Sequence, residues 1–172
     1  AGWIEVKSSL GYLSAYIGYG NTTTPSFALV YGSESTAASR YATLFFGVFD
    51  ALDRTLSYSN AGHNPPLLNG GGCPQRLSTG GIPLGVLSGV TYDQDRCTIG
   101  PGDILALYTD GVTESVDRGG IEFGEERLIE LLVRHRTRPL DELIQIVLEE
   151  LKSWSGTGPP HDDITLVLAR AS

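Results

Sequence analysis

The stretch LYTDGVTE, Leu107 to Glu114, decides how the C-terminal half of this 172-residue chain is organised. The apolar run from Ile104 to Tyr108 is short and uninterrupted, which predicts a buried strand. It ends abruptly in Thr-Asp-Gly, and Asp-Gly is a common way for a chain to leave a strand. Asp110 is therefore either a turn residue or a carboxylate that holds a ligand.

A second acidic step lies near the C-terminus, in HDDITLVLAR, where Asp162 and Asp163 precede the apolar run from Ile164 to Leu168. This run predicts a buried final strand. If it lies antiparallel to the Ile104 strand, the end of one strand and the start of the other share a sheet edge. The three carboxylates would then converge on one another.

Carboxylates that converge repel one another, and a cation removes that repulsion. Oxygen ligands favour Mg²⁺ or Mn²⁺, whereas a zinc site would call for cysteine or a histidine cluster. Such a centre activates water for hydrolysis of a phosphate ester. The alternative, in which these aspartates only form turns and strand starts, remains open at this point.

The rest of the pattern predicts an α+β fold with helices packed on a mostly antiparallel sheet. Leucines spaced by three and four residues predict helices at Phe123 to Arg136 and Pro139 to Trp154. Upstream, Tyr41 to Asp50 and Arg54 to Gly62 are rich in β-formers and closely linked, which predicts a hairpin. A further half-exposed strand is predicted at Tyr92 to Ile99.

Composition narrows the class of protein. With 41% hydrophobic residues, the chain suits one globular domain, and its net charge of −8 disfavours nucleic acid or an anionic membrane as a partner. Cys73 and Cys97 are too few for a disulfide framework or a zinc ribbon. No apolar segment approaches the roughly 18 residues that span a bilayer, and no signal pattern is present, so the expected location is cytoplasmic.

Six motifs together resemble a known family. They are RYATLFFGVFD, LSYSNAGHNPPLL, GGIPLGV, PGDILALYTDGVTES, FGEERL and HDDITLVLAR, in this order. They resemble the SpoIIE/RsbU branch of the bacterial metal-dependent (PPM, type 2C-like) serine/threonine phosphatases. The resemblance covers residues 40–170 of one predicted 172-residue domain, and residues 1–39 are atypical, as if truncated or spliced.

The resemblance implies a fold, a reaction and a set of ligands. The family fold is an αββα sandwich with two Mn²⁺ or Mg²⁺ ions, and metal-activated water removes phosphate from serine or threonine. Asp110 and Asp162 match its metal-ligand aspartates, which also makes them the catalytic pair. Gly111 would let the backbone approach the metal without a Cβ in the way. Asp163 is assigned a hydrogen-bonding role near the metal.

Roles are also assigned to three histidines and one glutamate in or near these motifs. His161 is a candidate proton donor to the leaving oxygen. Glu114 either orders metal waters or is simply solvated, and the second interpretation is preferred. His63, in NAGHNPP, is interpreted as part of a structural turn. His135 is expected to interact favourably with the helix dipole at a helix C-terminus.

The N-terminal half departs from the family pattern. The family supplies another essential aspartate from a motif like Gly-Asp-Val-Ser-Gly-His-Gly, but the only acidic residues before Asp50 are Glu5 and Glu34. Three explanations are considered, in order of preference. The sequence is a fragment or a set of joined segments, it is a degenerate phosphatase that only binds a partner, or Glu5 or Glu34 substitutes for the aspartate.

The resemblance also implies partners. The expected substrate is a phosphorylated anti-anti-sigma (STAS) protein, and a sensor or regulatory domain is expected in the same polypeptide. A homodimer formed through the helical layer is a further expectation. The competing hypothesis is a noncatalytic module of the same fold that regulates a signalling partner.

Overall fold

The computed structural model describes residues 4–8, 26–34, 41–70, 74–156 and 162–171, with the backbone alone for the first two ranges. These residues form two compact units. The first contains the described residues between 13 and 65 and between 76 and 100, and the second contains those between 3 and 12, between 66 and 75 and from 101 onward. The single domain expected from sequence stays a prediction.

Among the residues that the structure describes, strands precede residue 109, and helices and a last strand follow it. In chain order the described elements are β1 (Ile4–Ser8), β2 (Ser26–Glu34), β3 (Ala42–Asp50), β4 (Thr55–Ala61), β5 (Leu67–Asn69), β6 (Gln75–Arg76), β7 (Gly80–Gly81), β8 (Asp95–Thr98), β9 (Ile104–Tyr108), α1 (Asp110–Thr113), α2 (Gly124–Arg134), α3 (Leu140–Ser155) and β10 (Leu166–Ala171).

The sheet of the first unit has the order β2-β3-β4-β7, and β8 also pairs with β4. All of its pairings are antiparallel except that of β4 with β7. The predicted hairpin is confirmed, since β3 and β4 pair across a short turn in which Arg54 has a φ of 51°. Alternate residues are buried, and Phe45 stacks on Tyr58 with ring centroids 5.7 Å apart. The strand predicted from Tyr92 is shorter than expected, because β8 covers only Asp95–Thr98.

The sheet of the second unit has the order β1-β10-β9-β5-β6. All five residues of β9 are buried, as the apolar run predicts. β10 lies antiparallel to β9 with Leu166 opposite Tyr108, which confirms the predicted pairing. The final strand begins two residues later than predicted, because the Thr165 amide donates to the Thr109 side chain rather than to the backbone ladder.

Both amphipathic helices are confirmed, and both pack on the second sheet's apolar face. Leu128 and Leu132 of α2 lie in one buried cluster with Leu143 and Val147 of α3 and with Ile104 of β9. The α+β class is therefore correct. None of the helices in the described part of the chain is long and apolar enough to cross a membrane.

Candidate metal centre

The chain changes from strand to helix within one residue after β9. Thr109 is extended, with φ −86° and ψ 162°, and its carbonyl already accepts the Val112 N–H at 3.0 Å. Val112 is fully buried in the core, whereas Asp110 is exposed. The buried Val112 side chain thus anchors the turn in the core, while the Asp110 carboxylate faces solvent.

The same residue joins this turn to the segment that leads into β10. The Thr109 N–H donates to the Thr165 carbonyl at 3.1 Å, which continues the β9–β10 register by one residue. The Thr109 hydroxyl donates to the Asp163 carbonyl at 2.8 Å and accepts the Thr165 N–H at 2.9 Å. Three hydrogen bonds therefore connect Thr109 to residues 163 and 165.

Gly111 lies directly against the acidic pair. A Cβ at this position would lie 2.6 Å from the Asp163 carbonyl oxygen and 3.4 Å from the Asp162 carbonyl carbon. No side chain fits in that space without moving backbone. The close approach that glycine permits here is between the residue after Asp110 and the backbone of Asp162 and Asp163.

The two candidate ligands have similar surroundings. Asp110 and Asp162 are both exposed. Asp110 Oδ1 accepts the Gly111 N–H at 3.0 Å, and Asp162 Oδ1 accepts the Asp163 N–H at 2.7 Å. Each bond is to the next residue along the chain, so each carboxylate keeps lone pairs for another partner.

A cavity of about 180 Å³ lies beside Asp162 and is lined by Gly111, Glu114, Ser115 and Asp162. Ser115 is buried, whereas Glu114 is exposed. Carboxylate and hydroxyl oxygens with room for water are the ligands that a hard divalent cation takes. The residues present therefore fit Mg²⁺ or Mn²⁺.

The expected convergence of three carboxylates does not occur. Across residues 41–70, 74–156 and 162–171, no three His, Cys, Asp or Glu side chains form a group that could hold a metal ion. The backbone carbonyl of Asp163 is what approaches Gly111 and accepts the Thr109 hydroxyl. Two aspartates, rather than three, are candidate ligands at this sheet end.

Backbone register locates two further residues that were considered as ligands, Glu5 and Glu34. His161 lies outside the described residues. Glu5 is opposite Arg170, four positions along β10 from Leu166, or roughly 13 Å at the usual rise per residue. The backbone register therefore places Glu5 toward the far end of the sheet. Glu34 pairs with Ala42 in the first unit.

His63 has the structural surroundings that were expected of it. It is 8% exposed, and its Nδ1 lies 2.9 Å from the Thr43 hydroxyl. Its N–H donates to Asn60 Oδ1 at 2.7 Å, and its carbonyl accepts from Asn60 Nδ2 at 2.9 Å. Asn60 and Thr109 were not identified from the sequence. Both lie at strand ends, where Asn60 precedes a small residue and Thr109 precedes an Asp-Gly step.

Comparison with known proteins agrees with this architecture. The sequence profile of the stage II sporulation protein E (SpoIIE) family matches residues 27–172. Protein IcfG of Synechocystis sp. is 38% identical over 128 residues, which is 74% of this chain and 20% of that protein. The phosphoserine phosphatase RsbU of Bacillus subtilis is 25% identical over 139 residues, which is 80% of this chain and 41% of RsbU. The chain thus spans less than half the length of either relative.

Solved structures share the fold at lower identity. The phosphatase domain of SpoIIE from Bacillus subtilis superimposes with a TM-score of 0.69 at 14% identity, covering 99% of this chain and 93% of that one. A manganese-presoaked crystal of that domain gives a TM-score of 0.57 at 19% identity, covering 74% of this chain and 56% of that one. The chain belongs to the SpoIIE family and is a SpoIIE/RsbU-type phosphatase domain with the PP2C fold.

Proposed function

We propose that this chain is a serine/threonine protein phosphatase domain that depends on Mn²⁺ or Mg²⁺. The observation that carries the proposal is the close approach of Gly111 to the backbone of Asp162 and Asp163. Together with the antiparallel pairing of β9 and β10, this approach supports a common site for the carboxylates of Asp110 and Asp162 at one end of one sheet.

Asp110 and Asp162 would hold the cation, and the exposed Glu114 lies where it can hydrogen-bond to water in the cavity. Gly111 keeps the two segments close, and Asp163 contributes its carbonyl to the Thr109 hydrogen bond. When bound, the divalent cation supplies Lewis-acid chemistry that makes water a better nucleophile toward phosphorus. Two ions are proposed for the active domain, and a second one needs more carboxylates than these two.

The proposed substrate is phosphoserine or phosphothreonine on a signalling protein, with an anti-anti-sigma (STAS) protein as the specific candidate. Support comes from the relative RsbU, whose name describes a phosphoserine phosphatase. Because this chain spans 41% of RsbU and 20% of IcfG, a regulatory domain in the same polypeptide is also proposed. A homodimer remains part of the same proposal.

The test is phosphate release from a phosphorylated STAS protein with and without Mn²⁺. We expect release only with metal, and we expect Asp110→Asn to lower turnover by at least about 100-fold, since a bound cation supplies several kcal/mol to the transition state. Glu150→Gln is the matched control, because Glu150 is an exposed carboxylate on α3.

Metal-independent release, or an Asp110→Asn variant as active as Glu150→Gln, would contradict the proposal. A chain that binds the phosphorylated protein tightly but releases no phosphate under any metal condition would support the noncatalytic module instead.

A further inference from the structure

The backbone and the side chain of Thr109 both form hydrogen bonds with Thr165. In a regular antiparallel pair, Thr109 and Thr165 would exchange two backbone hydrogen bonds. Only one forms, from the Thr109 N–H to the Thr165 carbonyl at 3.1 Å. The Thr109 carbonyl has instead turned to accept the Val112 N–H at 3.0 Å, which begins the helical turn that carries Asp110.

The Thr109 hydroxyl makes the hydrogen bond to the Thr165 N–H that the Thr109 carbonyl would make in a regular strand pair. It accepts the Thr165 N–H at 2.9 Å and donates its single proton to the Asp163 carbonyl at 2.8 Å. A hydroxyl has one donor and accepts as well, so both bonds are satisfied at once. The chain can therefore turn away after β9 without releasing the segment that leads into β10.

We propose that Thr109 is a positioning residue, whose hydroxyl fixes the Asp110 turn against the Asp162–Asp163 segment at the spacing that a shared divalent cation requires. This inference rests on the proposed function. The Thr109 hydroxyl bonds to Asp163, the residue after Asp162, and Thr109 is itself the residue before Asp110. Loss of the hydroxyl would leave the Thr165 N–H and the Asp163 carbonyl unpaired and the two carboxylate turns free to separate.

Two substitutions separate the hydroxyl from the shape of the side chain. Thr109→Val keeps the volume and branching but removes the hydroxyl, whereas Thr109→Ser keeps the hydroxyl and loses only a methyl group. Residues that orient metal ligands typically contribute about 10–100-fold to metal affinity, so Thr109→Val should weaken Mn²⁺ binding by that factor. Thr109→Ser should restore binding to near the wild-type value.

Calorimetric titration of each folded variant with Mn²⁺ alone is the primary measurement, and urea unfolding reports stability separately. If wild type binds no Mn²⁺, the proposed function fails and this inference fails with it. If wild type binds and Thr109→Val binds equally well, only this inference is overturned. Equal weakening by valine and serine would also overturn it, since the hydroxyl would then be irrelevant.

Amide hydrogen exchange in the wild-type chain gives a test that needs no variant to fold. The Thr165 N–H donates to the Thr109 hydroxyl, so its exchange rate reports on this contact. Saturating Mn²⁺ should slow exchange at Thr165 several-fold and leave that of Leu143, in the core of α3, unchanged. No slowing at Thr165 in a protein that binds Mn²⁺ would overturn the inference.

Discussion

At two strand ends in the described part of the chain, β9 and β4, polar side chains have opposite surroundings. After β9, the carboxylate of Asp110 is exposed, and its Oδ1 accepts the N–H of the next residue, Gly111. At the end of β4, the side chain of Asn60 is 3% exposed and bonds to His63 through both of its amide atoms. The first turn presents oxygen atoms to solvent, and the second encloses its polar atoms.

Burial and hydrogen-bond partners distinguish a residue that can bind a ligand from one that stabilises the turn. A buried amide must find protein partners, because an unsatisfied one costs about 1–3 kcal/mol. Asn60 meets that requirement, donating also to the Leu77 carbonyl at 3.4 Å. An exposed carboxylate has no such requirement, and its lone pairs remain available to a cation. Mutations in the two turns should therefore affect different properties.

The largest expected effect is on catalysis. Asp162→Asn should lower metal-dependent turnover by at least about 100-fold, because it removes a charged ligand of the cation. Its free energy of unfolding should change by less than about 0.5 kcal/mol, since Asp162 is exposed. Parallel assays of phosphate release and urea unfolding measure both quantities. An unfolded variant, or one with full activity, would remove the distinction between the two turns.

The opposite pattern is expected in the first unit. Asn60→Ala should lower the free energy of unfolding by about 2–4 kcal/mol, because it leaves the His63 N–H and carbonyl without their buried partners. Exposed Gln94, also in the first unit, provides the control variant Gln94→Ala. A loss below about 1 kcal/mol in urea unfolding would show that this turn does not depend on Asn60.

A smaller effect is expected where β9 meets α2. The Tyr108 hydroxyl donates to Glu125 Oε2 at 2.6 Å, and Tyr108 is 1% exposed. Tyr108→Phe should lower the free energy of unfolding by about 1.5 kcal/mol, the usual value for a hydrogen bond to a charged group. Glu125→Gln keeps an acceptor and should lose less. Equal stability of Tyr108→Phe and wild type in urea would contradict this.

The last prediction concerns the pH dependence of stability in the first unit. Burial, with a further contribution from Asp95, raises the pKa of the Cys97 thiol from 9.0 to about 11. The unfolded thiol ionises first, so the folded state holds more protons between these values and stability falls as pH rises from 9 to 11. In a Cys73→Ser background, alkylation of Cys97 should accelerate only as pH approaches 11. Rapid alkylation at pH 8 would contradict the burial.

Much of the fold follows from local patterns. The leucines of α2 and α3 repeat at helical spacing, and the apolar run of β9 is too short for a helix, so these elements could be predicted. The common sheet edge of Asp110 and Asp162 was expected on the condition that β9 and β10 lie antiparallel. The register of these strands meets that condition.

What could not be predicted depends on cross-strand register. Thr109 donates a hydrogen bond to Asp163, 54 positions away, and Asn60 donates one to Leu77, 17 positions away. Neither partner is visible in a local pattern, because threonine and asparagine also occur at turns for purely local reasons. The start of β10 was misplaced for the same reason, since the Thr165 amide bonds to a side chain rather than to a strand.

The two turn aspartates, Asp110 and Asp162, are proposed to share a divalent cation. An anomalous difference map from a crystal of this chain grown with Mn²⁺ tests it directly. We predict a peak within about 2.5 Å of a carboxylate oxygen of Asp110 and of Asp162, a distance typical of divalent cations bound by oxygen. A crystal with strong manganese peaks elsewhere and none at these two carboxylates would contradict the claim.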